Sequence, residues 1–500
     1  MMSYRFVMGL ILSTLVIAVG SYFYGIAQYD ALPVVLWTDS LIYVLVVAIS
    51  SFIIYASSKE HLRDPWRQVF QHRYGMIALA ILLIYVVIGL LDSVHFRLPA
   101  ENQSQDVTQE TVYSGEVLSL LDVVITPIRE QEEKTYSAPF ATHLFSKETI
   151  EHADGTRTRE YPRLKYGGAH LEDPHADWVD DVTSNTLTGA GYGLAVWFAV
   201  SLLIIVLIAL SRKQSIGSTF SDVVSGKSHT PWRAVLITLL ILAVLVCIAI
   251  VLAPKYHILG TDKVGQDVLY QSLKSIRTGL VIGTLTTLIM LPFAVMLGIM
   301  AGYLKGWVDD VVQYLYTTLS SIPGILLIAA SVLMMQVYMA NNPDLFETDS
   351  ERTDIKLFFL CVILGITSWT GLCRMLRGET LKLREVDYVQ ASQAFGVSQI
   401  KIMWQHIQPN VMHIILIAIV LDFSGLVLAE AVLSYIGVGV DPTMHSWGNL
   451  INGARLEMAR EPMVWWSLVA ALIFMFILVL AANLFSDAVR DAFDPRIRKQ

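Results

Sequence analysis

The chain is predicted to be an all-α polytopic membrane protein with about ten transmembrane helices. Of its 500 residues 54% are hydrophobic and only 16% charged. Mean hydropathy is +0.55, and apolar runs of spanning length recur from end to end. A soluble multidomain enzyme does not have this balance.

The runs fall near residues 6–27, 34–56, 76–94, 190–210, 234–253, 278–300, 322–340, 357–376, 411–432 and 464–485. Each suits a helix crossing a hydrocarbon core. The first is longer than the core of a secretory signal, lacks a clear small-residue cleavage site and leads directly into a second span, so it is read as retained. Basic residues concentrate on alternate sides: Arg5; Lys59, Arg63, Arg67 and Arg73; Arg212, Lys213, Lys227 and Arg233; Arg374, Arg377, Lys382, Arg384 and Lys401; Arg490, Arg496, Arg498 and Lys499. Those sides are expected to be cytoplasmic, which places both termini inside.

The net charge of −8 is local, because residues 95–189 hold 17 acidic and 8 basic residues, net −9. An acidic extramembrane segment argues against nucleic acid as a partner. Cys247, Cys361 and Cys373 lie in or at the ends of apolar runs, where they read as small apolar residues, with no disulfide framework or metal motif.

The expected division is 1–94, N-terminal transmembrane helices; 95–189, acidic periplasmic segment; 190–228, fourth helix and cytoplasmic linker; 229–490, a six-span core; and 491–500, a cytoplasmic tail. A loop as long as 95–189 should have structure of its own. Thr149-Ile150-Glu151-His152 and Thr156-Arg157-Thr158-Arg159 flank Asp154-Gly155, a hairpin signal, and Leu120–Ile125 reads as a further strand. Asp64-Pro65-Trp66-Arg67 and Thr230-Pro231-Trp232-Arg233 echo one another before two spans, as interfacial Trp and Arg anchors would.

Tyr388–Val411 is a polar helix-turn-helix between two spans. Gly396 breaks it, Val389 and Phe395 precede the break, and Ile400, Trp404 and Ile407 follow at helical spacing until Pro409 ends the pattern. Gly396 suits a left-handed turn, Ser398 can cap the next helix, and Tyr388, Ala391 and Phe395 offer an apolar face to a partner groove. Packing against the chain's own helices is the alternative. In the ninth run Asp422 and Glu430 lie eight residues apart. A mid-bilayer carboxylate costs about 2.5–3.5 kcal/mol on insertion scales, so each should face a polar cavity or a partner helix. Pro323 and Pro292 fall inside or at the start of spans and can bend them.

Two further runs carry less. Ser221-Asp-Val-Val-Ser-Gly-Lys-Ser228 approaches a phosphate-binding loop but has Ser where the first Gly belongs and no room for the strand and helix required. His170-Leu-Glu-Asp-Pro-His175-Ala-Asp177 could hold Zn²⁺ or Ni²⁺ through imidazole and carboxylate, though such a run is more often a solvated turn. No metal site is assigned.

The 388–411 stretch resembles the EAA loop that seats the ATPase in bacterial ABC-importer permeases: Glu-Ala-Ala, three residues, Gly, nine residues, Ile-x-Leu-Pro. The chain keeps Ala391, Gly396 and Pro409 in register and has Gln390, Ser392, His406 and Gln408 at other consensus positions. Leu259–Asp267, Gly302-Tyr303 with Gly306–Asp309, Ser321-Ile322-Pro323, Glu430-Ala431 with Leu433-Ser434 and Gly437, Ser446–Asn449 and Asp494-Pro495-Arg496 follow in the order of the dipeptide/oligopeptide importer permeases, whose pattern they resemble. Gln266 stands where that family usually has Arg. The resemblance covers about half the chain and leaves residues 1–228 aside.

It implies a type I ABC-importer permease core of six helices plus an N-terminal extension with a periplasmic insert, in a bacterial cytoplasmic membrane. It implies a non-enzymatic transport subunit for di- or oligopeptides, without a cofactor of its own. The partners implied are a second homologous permease, two ATPases carrying ATP and Mg²⁺, a periplasmic substrate-binding protein and membrane lipid. Within an EAA-like loop at 385–410, Glu385, Tyr388, Ala391, Ala394, Phe395, Gly396, Ile400 and Pro409 are the expected ATPase-coupling residues. Asp422, Glu430 and Pro323 are candidates for the translocation pathway. Gly260, Thr261, Asp262, Gly265, Asp267, Trp447 and Gly448 are candidates for a periplasmic gate or partner contact. An exporter of the same fold is the alternative, with a membrane-anchored periplasmic metalloenzyme built on 95–189 behind it.

Overall fold

The structure, a computed structural model, describes residues 31–58, 60–99, 113–151, 157–226, 228, 230–342 and 348–493. Among these, nine helices are long and apolar enough to cross a membrane. They coincide with the nine apolar runs from 34–56 onward; the run at 6–27, the Asp154-Gly155 turn and Asp494-Pro495-Arg496 lie outside the described residues.

In chain order the elements begin with β1 (Leu32–Val34), α1 (Trp37–Ser58), α2 (Glu60–Val69) and α3 (Arg73–Asp92). The extramembrane segment adds β2 (His95–Arg97), β3 (Leu118–Ser119), α4 (Leu120–Val124), α5 (Thr126–Arg129), β4 (Glu148–Glu151) and β5 (Arg157–Glu160). Then come α6 (Trp178–Arg212), α7 (Ile216–Val224), α8 (Trp232–Leu252), α9 (Val268–Leu304), α10 (Trp307–Ser321) and α11 (Gly324–Asn341). The rest is α12 (Asp349–Ser368), α13 (Thr370–Arg384), α14 (Asp387–Ala394), α15 (Gln399–Ile402), a π turn at Met403–Ile407, α16 (Gln408–Tyr435), α17 (Trp447–Glu457) and α18 (Trp466–Phe493).

These elements form two compact units that cut across the division expected from sequence order. One comprises the described residues up to Val35 with Leu45–Thr278 and His445–Ala481; the other comprises Leu36–Val44, Gly279–Met444 and those from Ala482 onward. The expected boundary at 189/190 falls inside α6, because Trp178–Arg212 is one unbroken helix.

In the first unit α6 and α8 pack at backbone distance. A Cβ on Gly189 or Gly193 would lie 2.7 Å from Ile248 Cα or 2.6 Å from Val244 Cα, so only glycine permits this approach. Antiparallel β1–β2–β3 pairs Leu32 with Arg97 and Phe96 with Leu118. The hairpin expectation holds for β4–β5, with Ile150 opposite Thr158. The strand expected at Leu120–Ile125 is instead helix α4. Ser119 accepts from Asp122 N at 3.2 Å while Asp122 Oδ2 accepts from Ser119 N at 2.8 Å, a capping box that decides the conformation against the β-leaning side chains.

Trp232 is fully buried, in one cluster with Phe70, Met76, Ile208 and Val223, and Trp66 packs on that cluster. The tryptophans of the two Pro-Trp-Arg runs therefore share one cluster, and Trp232 is a core residue rather than an interfacial anchor. In the second unit one cluster centres on Leu357, Leu360, Leu364, Val281 and Ile282, and another on Leu372, Leu376, Val389, Ile402 and Ile407. Pro292 lies within the continuous α9. Pro323 instead separates α10 from α11, as the N-cap of the latter.

Candidate functional site

The hairpin after α13 is built by local chemistry. Asp387 sits in the first turn of α14, where a carboxylate complements the helix dipole. The helix closes in a Schellman arrangement: Val397 N donates to Ser392 O at 3.1 Å, Gly396 N donates to Gln393 O at 3.0 Å, and Gly396 has φ +76°. Ser398 is the N-cap of α15 by backbone conformation, but its hydroxyl makes no capping bond.

Pro409 does not end the helix, as the sequence pattern suggested. Backbone runs helically from Gln399 to Tyr435. The wider π turn at Met403–Ile407 ends two residues before the proline and accommodates a residue that lacks an N–H and crowds the preceding turn.

The hairpin has two faces. Val389, Ile402, Ile407 and Val411 are fully buried against Ala301, Tyr303, Leu372 and Leu376. Ile407 thus belongs to the inner face, not to a stripe with Ile400 and Trp404. Phe395 is 87% exposed, Ile400 67% and Trp404 60%, with Tyr388, Ala391 and Ala394 also outward. Tyr388 is held by Asn410, whose Nδ2 donates to the phenol oxygen at 3.0 Å, and His406 lies against its ring. Glu385, exposed, reaches Lys305 at 3.4 Å.

Asp422 and Glu430 occupy different settings on α16. Glu430 is buried and accepts from Ser434 Oγ at 2.7 Å. Asp422 is half-buried, and among the described residues no hydrogen bond or ion pair reaches it.

The residues of the 260–267 loop are mostly turned inward. Thr261 is fully buried; its Oγ1 accepts from Ser137 N at 2.6 Å and donates to Thr135 O at 2.9 Å, and Trp466 Nε1 donates to Thr261 O at 2.9 Å. Gly265 O accepts from Glu133 N at 3.0 Å. Asp267 Oδ1 accepts from Leu269 N and Tyr270 N, and its Oδ2 meets His257 Nδ1 at 2.8 Å. Glu133, across the His257 ring at 3.5 Å, also accepts from Lys165 N, Tyr166 N and Gly167 N. Burial opposes the Glu133 charge, but the bonds from His257 and these backbone amides hold its carboxyl below the ordinary range.

Trp447 is buried and donates to Ser272 O at 3.2 Å, with Gly448 buried beside it. Gly260 is buried with φ +71°. Most of the side chains expected at a periplasmic gate or partner contact are thus turned inward, and the loop shows Lys263 and Val264 outward. Asp262, half-buried, folds back on its own loop through Val264 N and Gln266 N.

The His170–Asp177 run is not drawn to one centre. His170 pairs with Asp181 at 2.9 Å, while His175 stacks on His143 with ring centroids 6.0 Å apart.

Residues 294–499 match the family described as "Binding-protein-dependent transport system inner membrane component". The chain is 31% identical over 242 residues to the glutathione transport system permease protein GsiD of Pectobacterium atrosepticum, covering 48% of this chain and 73% of the relative. It is 33% identical over 242 residues to the oligopeptide transport system permease protein OppC of Mycobacterium tuberculosis, covering 48% and 77%. The chain belongs to the binding-protein-dependent transport permeases. A chain from inward-facing structures of the MetNI methionine ABC transporter aligns with 45% of this chain and 96% of its own length, at 17% identity and a TM-score of 0.34.

This binding-protein-dependent permease is therefore a mostly helical, multi-pass membrane protein. Sequence reasoning missed His257 and Glu133, and also Lys274, whose Nζ lies 2.5 Å from Asp92 Oδ1 and 3.0 Å from Asp122 Oδ2. No spacing rule marks Lys274, because its partners are 182 and 152 residues away.

Proposed function

We propose that the chain is the peptide-translocating permease subunit of an ATP-driven importer. It works beside a second homologous permease, two ATPases that hold ATP and Mg²⁺, and a periplasmic substrate-binding protein. Both termini and the 385–410 hairpin lie in the cytoplasm, in line with the Arg and Lys distribution. The observation that carries this is the outward apolar surface of Phe395, Ile400 and Trp404 on a hairpin whose second helix continues as a span to Tyr435. Apolar side chains so placed fit a groove on a partner, and an uninterrupted helix converts motion of that partner into motion within the membrane. Peptides are the substrate class of choice because relatives at this similarity are named for oligopeptides, dipeptides and glutathione.

ATP binding in the partners draws the hairpins together and favours the outward-open arrangement; hydrolysis reverses it. Asp422, without a partner of its own, lines the pathway. The test is peptide-stimulated ATP hydrolysis by the reconstituted assembly. Phe395→Asp with Trp404→Asp should abolish stimulation while the chain still inserts and folds. Stimulation that survives both changes removes the hairpin from the coupling route.

A further inference from the structure

At one end of the first unit, α3 begins, α6 ends and α8 begins, and the surface helices α2 and α7 close over them. A single buried cluster ties this end together: Phe70, Met76, Ile208, Val223 and Trp232. Helix α7 turns Thr219 and Val223 into the protein. Its opposite side shows Ile216, Phe220 and Val224, 52%, 55% and 54% exposed. Four residues apart, these form one stripe.

Only residues 213–215 separate α7 from the last residue of a spanning helix, so the stripe lies where the chain leaves the bilayer. Around it Arg67, Arg73, Lys213 and Arg233 are exposed, and Arg212 is half-buried. Among the described residues none of these five has a carboxylate partner; the neighbouring Asp64 lies beside Arg63 at 4.0 Å.

We infer that this end of the unit docks on the membrane surface, with α7 seated at the headgroup–acyl boundary and the unpaired basic side chains binding anionic phospholipid headgroups. Three side chains are far too few for a stable protein interface. They are enough to seat a short amphipathic helix that is already tethered to two spans. Unpaired cations at that depth complement anionic headgroups. The reading holds for either orientation of the chain.

The test uses the full chain in lipid nanodiscs, with Cys247, Cys361 and Cys373 replaced by Ala and a spin label at Phe220→Cys or Ser218→Cys. The label at 220 should collide preferentially with oxygen and the label at 218 with a water-soluble nickel chelate. Retention of phosphatidylglycerol over phosphatidylcholine by the purified chain should fall about tenfold in the Lys213→Gln, Arg233→Gln variant, at roughly fivefold or less per basic residue. A label at 220 open to the nickel chelate places the stripe in water, and one shielded from both reagents places it against protein. Either result, or unchanged phosphatidylglycerol retention, overturns the assignment.

Discussion

Arg377 grips Asp309 at two points, Nε to Oδ1 at 2.6 Å and Nη2 to Oδ2 at 2.8 Å. The pair fastens α13 to the first turn of α10, next to the hairpin. The hydrogen bond from Arg377 holds the Asp309 carboxyl below its ordinary range despite partial burial. A planar fork matches both carboxylate oxygens, and an ammonium cannot. Arg377→Lys should therefore cost about 1–2 kcal/mol, and Arg377→Met, which strands the carboxylate, about 3 kcal/mol. Thermal unfolding in detergent measures both; equal stabilities would refute the fork.

His257 lies buried between Asp267 and Glu133. Burial by itself would lower its pKa, but hydrogen bonds and charge from Asp267 and Glu133 prevail and raise it from 6.5 to about 9. A folded pKa above the unfolded one means that the stabilisation is complete below the unfolded value of 6.5 and is lost as pH rises through about 9. The unfolding midpoint should thus drop across that window in the native chain. His257→Gln should be less stable at neutral pH and flat across the same window; a slope that persists in the variant would assign it to another group.

Gly265 and Gly396 both have positive φ, +81° and +76°. A Cβ on Gly265 would lie 1.7 Å from Glu133 O, whereas one on Gly396 meets nothing within 4 Å. Gly396→Ala should cost only the left-handed backbone penalty, about 1–2 kcal/mol. Gly265→Ala should cost several kcal/mol and free the 131–137 segment from the 260–267 loop. Limited proteolysis of the two variants separates them, since only the second should become cleavable near Glu133.

Lys274 bridges Asp92 and Asp122, and Ser119 Oγ donates to Asp92 at 2.7 Å. Removing the cation alone leaves two buried carboxylates facing each other. Lys274→Met should destabilise by about 3–5 kcal/mol, and adding Asp92→Asn and Asp122→Asn should recover part of that loss. No recovery in the triple variant would mean that the lysine acts by packing alone.

Much of this was readable from the chain itself. Spanning helices declare themselves through uninterrupted apolar length, and the Gly396 turn through the one residue that adopts its backbone freely. The misreadings share a cause. Leu120–Ile125 has β-leaning side chains, but Ser119 and Asp122 cap a helix there. Pro409 looks like a stop until a π turn makes room for it. Thr261 and Trp447 look like surface residues, but they are buried and bonded to Thr135, Ser137 and Ser272, which no periodicity connects to them.

One structural feature bears on how such a chain can be cut. Ser137 and Thr135 bond to Thr261, and Glu133 bonds to Gly265 and faces His257. Excising the acidic stretch would leave the Thr261 hydroxyl and amide and the Gly265 carbonyl without these partners, and His257 with one of its two carboxylates. The extension is a keystone, not a detachable ornament, and a trimmed version would need its 260–267 loop redesigned before it could stand.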